Sequence, residues 1–309
     1  MVSRHVLVTG AGGFIGRAAV AELAAHGWQV TALSRQPPPA TDPSVRWEAL
    51  DLHDTAATAA LCQRLRPSHL LHLAWNTTHG QYWSADDNLT WVASSLALLQ
   101  AFRASGGSRA VIAGTCAEYD WGHGYCREEL TPLAPHTLYG ISKNALRQLA
   151  FGYCAPDGPS LAWGRVFFPY GPHENPARLI PSLINAALAG QPLRCTAGTQ
   201  YRDFLHVADV ASAFRTLLES GDSGIYNIAS GQPLQLRELV GTLAALLQTD
   251  AQPEFGALPM RPDDPPLLVG DNRRLRALGW TPAVDLARGL TATIAWWRAR
   301  HPPHKEPRS

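Results

Sequence analysis

Cysteine is scarce and unpatterned in this chain: Cys62, Cys116, Cys126, Cys154 and Cys195 are odd in number and lack ligand spacing. Such usage excludes a disulfide scaffold and structural zinc, and it is expected of a reducing compartment. Histidine does not supply the missing ligands, because His72, His136 and His206 never gather at metal-binding spacing. No apolar run approaches the roughly 20 residues that a membrane-spanning helix needs. The start, Met1 to Val6, runs into a strand pattern with no secretory leader before it, so the cytoplasm is the expected setting. Charge of one sign is missing too. With 26 Lys and Arg against 25 Asp and Glu, the formal net charge of +1 gives no footing for nucleic acid. No internal repeat is present. What remains is 309 residues, 46% of them apolar, with a mean hydropathy of -0.11. That is enough for one large α/β unit and a smaller second lobe.

Short apolar strands alternate with helical periods through the first half, the pattern of a parallel sheet wound by helices. His5 to Thr9 reads as a buried strand, and Gly10-Ala11-Gly12-Gly13-Phe14-Ile15-Gly16 turns from it into a helix ending near His26. Gly10 permits the tight turn, Gly13 lets backbone approach a pyrophosphate, and Gly16 allows close helix–strand contact. The helix start at Phe14 and Ile15 offers unpaired N–H groups to that anion. The next strand, Gln29 to Ser34, ends in Ser34-Arg35 and meets no acid until Asp42. A cation where a ribose-binding carboxylate is usual favours a 2'-phosphate, hence NADP(H) over NAD(H). Gln36-Pro37-Pro38-Pro39 is a surface connection. Asp51-Leu52, after a strand from Val45, is placed to border the adenine.

The strand Ser68 to Leu73 carries Leu73-Ala74-Trp75 to the carboxyl edge, where such sheets bind ligands. Trp75 either walls the cofactor or packs in the core. Thr77 to Trp83 is polar and aromatic enough for a substrate loop, with His79 as a binding or surface residue. A long helix from about Asn88 to Ala104, and the later one bearing Tyr139, offer faces to a second subunit, so a homodimer is expected.

Ser108 to Gly114 forms another strand, and Thr115 stands at its carboxyl end. In Tyr139-Gly140-Ile141-Ser142-Lys143 a phenol and an ammonium lie four residues apart on one helical face. That spacing suits a phenolic acid/base tuned by a neighbouring charge. Thr115 would donate to a substrate oxygen, Tyr139 would transfer the proton, and Lys143 would hold the ribose and favour the tyrosinate. Cys116, beside Thr115, is counted with the substrate contacts, and Glu118 has a job left open. Gly122 to Thr137 reads as a flap over the pocket, with Tyr125 and Glu128 as ligands.

On the glycine turn and the Thr115, Tyr139, Lys143 set, the chain from Gly10 to about Trp297 resembles the extended short-chain dehydrogenase/reductase family, in its nucleotide-sugar branch. The resemblance implies a Rossmann-type doubly wound parallel sheet over residues 1–165, to which later segments return. It further implies a smaller α/β lobe, mainly 166–300, for a nucleoside diphosphate sugar, followed by a flexible tail at 301–309. The family's sugar 4,6-dehydratases follow the catalytic threonine with Asp-Glu, whereas this chain has Cys116 and Ala117. Elimination of water then lacks its acid and base. The family's epimerase-reductases that make GDP-fucose carry a cysteine two residues after the hydroxyl, and that position is Ala117 here.

The family segment Arg…Asn-x-Tyr-Gly-Pro matches Arg165 and Phe168-Pro169-Tyr170-Gly171-Pro172, with Phe168 in place of Asn. By the same resemblance, Phe168 and Pro169 border the nicotinamide. Arg178 and Leu179, near the start of a helix between Asn175 and Gly190, belong to the stretch that covers the base. Arg202 is the candidate for gripping the diphosphate, its rigid fork of donors matching phosphate oxygens. Asp203 would orient it or cap a turn, and Arg261 is a further diphosphate or ribose ligand. The expected activity is NADP(H)-dependent reduction of a keto group, C4 foremost, on a nucleoside diphosphate 6-deoxyhexose. The alternative is a nucleotide-sugar 4-epimerase with transient hydride transfer, and behind it stands a non-catalytic cofactor sensor.

Overall fold

The structure is a computed structural model that describes residues 4–38, 42–261 and 264–300. The tail expected at 301–309, Pro39 of the proline run and two positions of the 261–264 loop lie outside the described residues.

Strand β1 (His5–Thr9) is buried throughout. Val6 and Val8 belong to one hydrophobic core and Leu7 to another, as a central parallel strand covered on both faces requires. The chain continues through α1 (Phe14–Ala25), β2 (Gln29–Ser34), β3 (Val45–Ala49), α2 (Thr55–Leu65), β4 (His69–His72), α3 (Asp87–Ala104) and β5 (Arg109–Thr115). Next come β6 (Tyr125–Cys126), α4 (Leu138–Cys154), β7 (Ser160–Val166), β8 (Phe168–Tyr170), α5 (Leu179–Leu188), β9 (Leu193–Cys195), β10 (Tyr201–Arg202) and β11 (Phe204–His206). The last stretch is α6 (Val207–Ser220), β12 (Gly224–Ile228), β13 (Leu234–Gln235), α7 (Leu236–Leu247), β14 (Pro253–Phe255), β15 (Leu267–Gly270), α8 (Arg273–Ala277) and α9 (Leu286–Arg298).

The main sheet has seven strands in the order β12-β7-β5-β4-β1-β2-β3, all paired in parallel. The winding reverses between β1 and β4, and the crevice outside their carboxyl ends is where a doubly wound sheet binds its ligand. On one face α1 packs against α6 through Val20, Leu23, Phe214 and Leu217. On the other, α2, α3 and α4 bury Leu61, Phe102, Leu146 and Ala150. A third core, with Ile184, Leu243, Leu290 and Ile294, joins α5, α7 and α9. Beside it run a four-stranded sheet, β13-β10-β15-β6, and two strand pairs, β11-β8 and β14-β9.

Helix α5 begins at Leu179, within the stretch expected to hold it, because Asn175 spends its side chain on the turn N–H of Ala177 and Arg178 is extended. The stretch expected as a flap contains β6, which pairs in parallel with β15. Glu128 within it is buried and accepts the Asn227 N–H at 2.8 Å, so it is a structural acceptor rather than a ligand. Asp203 resolves as a cap, accepting from the N–H groups of Ser230, Gly231 and Gly270. Asp209 takes those of Ala283 and Val284.

Two histidines of β4 make folding sensitive to acid. His72 is buried between Thr9 Oγ1 at 2.7 Å and Ser95 Oγ at 2.8 Å. Burial, reinforced by the Lys143 charge, lowers its pKa to about 3, and burial lowers that of His69 to about 4. Both pKa values are depressed in the fold, so the unfolded chain binds protons first as pH drops below about 6.5, and stability is lost from there downward. Urea unfolding should lose roughly 2 kcal/mol or more between pH 6.5 and 4.5. His72→Gln should flatten that slope, and equal slopes in the two proteins would refute the assignment.

Candidate active site

The glycine turn sits at the point where the sheet reverses. Gly10 has φ +67°, and a Cβ there would stand 2.7 Å from the Ala74 nitrogen; at Gly16 it would be 2.0 Å from the Gly10 oxygen. Turn, helix start and β4 exit are therefore in direct backbone contact. Helix α1 has no side-chain cap at Gly13 and no acid in its first turn, whereas α2, α4 and α9 are capped by Asp54, Thr137 and Asp285. The N–H groups of Phe14, Ile15 and Gly16 thus keep the partial positive charge of a helix start, which fits the diphosphate of a dinucleotide. Leu73 and Ala74 follow β4, their N–H groups bonded to Thr9. Ser34 and Gln36 bond each other at the end of β2. Arg35 is exposed and has no ion-pair partner among the described residues. Asp51 is exposed and caps the His53 N–H, and Leu52 is buried.

Three expected reactive side chains meet at the same carboxyl edge. β5 delivers Thr115, and the first two turns of α4 deliver Tyr139 and Lys143; all three are buried. The Thr115 hydroxyl lies on the Tyr139 side of the strand end, where it favours the ionised phenol slightly. Around the phenol stand Tyr82, Trp83 and Trp75, with ring centroids 4.9, 5.8 and 6.3 Å away. Burial first, then the nearby Tyr82, push its pKa well above the usual tyrosine value, and the Thr115 hydroxyl offsets only part of this. Lys143 Nζ donates to Ala113 O at 2.9 Å and lies 3.8 Å from the Trp75 ring centroid. Burial pulls the lysine down to about 7, against the opposing pull of Glu118. Desolvation acts on both groups and favours their neutral forms.

Beneath Thr115 lies a buried ionic network. Glu118 Oε1 accepts from the Thr115 N–H and Trp163 Nε1, both at 2.9 Å, and its Oε2 pairs with Arg165 Nε at 2.8 Å. Arg165 also donates to the Tyr119 hydroxyl, which donates to Asn227. Cys116 is a buried thiol, held above its ordinary pKa by burial.

On the substrate side, the Arg178 guanidinium lies 5.4 Å from the Tyr82 ring centroid. Burial first, then the charges of Arg178 and Arg261, lower the pKa of His79, whose buried Nδ1 has no hydrogen-bond partner among the described residues. The structure thus brings His79, Arg178 and Arg261 together beside Tyr82. Leu179 opens α5 next to them. Arg202 pairs with Asp264 at 2.6 Å and lies 5.7 Å from the Phe168 ring centroid, so its orienting acid is Asp264 and not Asp203. Phe168 and Pro169 are set by the pairing of β8 with β11. Tyr125 is placed elsewhere, among Asp271, Arg273 and Arg127. Tyr82, Trp83 and Trp121 went unassigned from sequence, although the first two belong to the run flagged as a substrate loop. The described residues contain no cluster that could hold a metal ion and no helix long and apolar enough to cross a membrane.

A doubly wound sheet with an uncapped glycine turn at its reversal, and a hydroxyl, phenol and amine at the same edge, defines a nicotinamide-dependent enzyme of the short-chain dehydrogenase/reductase class. Residues 6–229 match the NAD dependent epimerase/dehydratase family, and the chain belongs to it. It is 31% identical to dTDP-glucose 4,6-dehydratase of Streptomyces griseus over 96% of this chain and 94% of the relative. It is 28% identical to GDP-6-deoxy-D-mannose reductase of Pseudomonas aeruginosa over 97% of this chain and 99% of that one. The crystal structure of Thermus thermophilus UDP-glucose 4-epimerase in complex with NAD superposes with a TM-score of 0.83 at 28% identity, covering 95% and 99% of the two chains.

Glu118→Ala should leave the fully buried Arg165 charge unpaired and lower stability by about 3–5 kcal/mol in urea unfolding. Glu118→Gln, which keeps an acceptor, should lose less. A loss below ~1 kcal/mol for the alanine variant would show that the network is not structural.

Proposed function

We propose that the protein is an NADP(H)-dependent reductase of a keto group, C4 foremost, on a nucleoside diphosphate 6-deoxyhexose. The observation that carries this reading is the state of Tyr139: a buried phenol beside Thr115, ringed by Tyr82, Trp83 and Trp75 and kept protonated by its burial. A group in that state is a proton donor. Bound at the glycine turn and Lys143, the nicotinamide would supply the hydride. Thr115 would polarise the carbonyl as alkoxide charge develops, and Tyr139 would give its proton to that oxygen. Lys143, near neutrality in its dry pocket, would bind the ribose hydroxyls. Elimination is disfavoured because the positions after Thr115 hold no carboxyl, and the Glu118 carboxylate is committed to Thr115, Trp163 and Arg165. Similarity to the Pseudomonas aeruginosa reductase supports the same direction.

His79, Arg178 and Arg261, with Arg202 across the pocket, would take the diphosphate. Residues 1–165 plus the returning β12 would hold the cofactor, and most of 166–300 the sugar nucleotide. Arg35, exposed and without an ion-pair partner among the described residues, favours NADPH by way of the cofactor's 2'-phosphate. A cytoplasmic homodimer is part of the proposal, with Leu89 of α3 and Ile141 and Leu149 of α4, which are 61%, 49% and 52% exposed, as its contact residues. A 4-epimerase is the second reading, favoured by the likeness to the Thermus thermophilus epimerase with NAD. A cofactor sensor would have no use for Thr115, Tyr139 and Lys143 together at one edge.

Tyr139→Phe should cut NADPH oxidation with a nucleoside diphosphate 4-keto-6-deoxyhexose by about a hundredfold or more while NADPH binding, followed by fluorescence, persists. Unchanged turnover would remove the tyrosine from the chemistry. Arg35→Ala should raise KM for NADPH about tenfold and leave that for NADH in place. Equal effects on the two cofactors would overturn the NADP(H) preference.

A further inference from the structure

We infer that Asn88, in the first turn of α3, is a positioning residue for the Tyr139–Lys143 pair. It is 1% exposed, and its amide is fully engaged. Oδ1 accepts from Trp75 Nε1 at 2.8 Å, and Nδ2 donates to Tyr82 O at 2.8 Å and Ala85 O at 2.7 Å. The amide has one possible orientation there, because an indole N–H only donates and a backbone carbonyl only accepts.

Each of these contacts leads to the reactive pair. Trp75 presents its ring to Lys143 Nζ at 3.8 Å, and a cation over an indole face is stabilised by the ring's quadrupole. Tyr82 stands edge-on to Tyr139. Trp83, the next residue, accepts the Tyr139 backbone N–H at 3.1 Å and so sits on the start of the catalytic helix. One side chain therefore sets both the aromatic partner of the lysine and the loop that walls the tyrosine. Asn88 touches none of the reacting groups itself, and it acts through Trp75 and through residues 82–85.

The charged and titratable groups facing Lys143 are Glu118 after β5, His72 on β4 and Tyr139 on its own helix. Glu118 is held by Trp163 and Arg165, and His72 by Thr9 and Ser95, so neither depends on Asn88. Loosening Asn88 should change the lysine through Trp75 alone. Losing the ring face removes a stabiliser of the ammonium and lowers the lysine pKa further.

The inference rests on the reductase reading only in taking Tyr139 and Lys143 as the working pair. Its test is NMR titration of the Lys143 side chain in the cofactor-free protein, labelled with 13C-lysine, in wild type, Asn88→Ala, Asn88→Ser and Trp75→Leu. Asn88→Ala should lower the Lys143 pKa by about half a unit or more. Trp75→Leu should shift it in the same direction, and combining the two should add nothing. With NADPH and a nucleoside diphosphate 4-keto-6-deoxyhexose, kcat should fall about tenfold in Asn88→Ala, with KM for the sugar nucleotide unchanged. Asn88→Ser supplies the titration should the alanine variant not fold. A folded Asn88 variant with lower Tm but a wild-type Lys143 titration would reduce Asn88 to a structural residue. If Tyr139→Phe retained turnover, the reductase reading would fail and the lysine titration would still decide the role of Asn88.

Discussion

The carboxylate of Glu118 is the constraint on which the rest of the site depends. It is wholly buried, and it joins three things that chain order keeps apart: the end of β5, the indole of Trp163 and the guanidinium of Arg165. By accepting the Thr115 N–H it fixes the last residue of the strand, and the Thr115 side chain then caps the turn behind it by accepting from Ala117. Burying such a pair is costly unless every lone pair and proton is satisfied. Here Trp163, Tyr119 and Asn227 supply further partners, while Arg165 Nη2 stays buried without one among the described residues. The hydroxyl that faces Tyr139 is thus held from below by an ionic network, and that network leaves its carboxylate no freedom to act on a substrate.

Dryness sets the chemistry above that floor. Trp75, Tyr82 and Trp83 surround Tyr139, and the same environment that keeps the phenol protonated brings the lysine to about 7. A protonated phenol beside a lysine that titrates near neutral pH suits a proton-donating site. Opposite them, Arg178, Arg261 and His79 keep cationic or polar character for an anionic ligand. The division between a dry reactive end and a basic binding end matches the two halves of a sugar nucleotide, one uncharged and one carrying the diphosphate.

Local pattern made most of the fold legible. The strands from β1 to β5 ended within a residue or two of the expected positions, because short continuous apolar runs and glycine turns are written in adjacent residues. The glycine turn, Thr115, Tyr139 and Lys143 were legible for the same reason. Partners distant in sequence were not. Nothing near Glu118 announces Trp163 and Arg165, nothing near Arg202 announces Asp264, and Tyr125 looked like a ligand until β15 paired with its strand. Desolvation, the first cause of shift at both Tyr139 and Lys143, depends on packing and could not be read from the spacing of the pair.

The most direct measurement of the central claim follows the hydride. In a single turnover, NADPH deuterated at the transferred position of C4 is mixed with a nucleoside diphosphate 4-keto-6-deoxyhexose, and the sugar is examined by mass spectrometry and NMR. The account predicts one equivalent of NADP+ and one deuterium on the former carbonyl carbon, with the new hydroxyl proton drawn from water by way of Tyr139. An unlabelled sugar with the NADPH intact would contradict it.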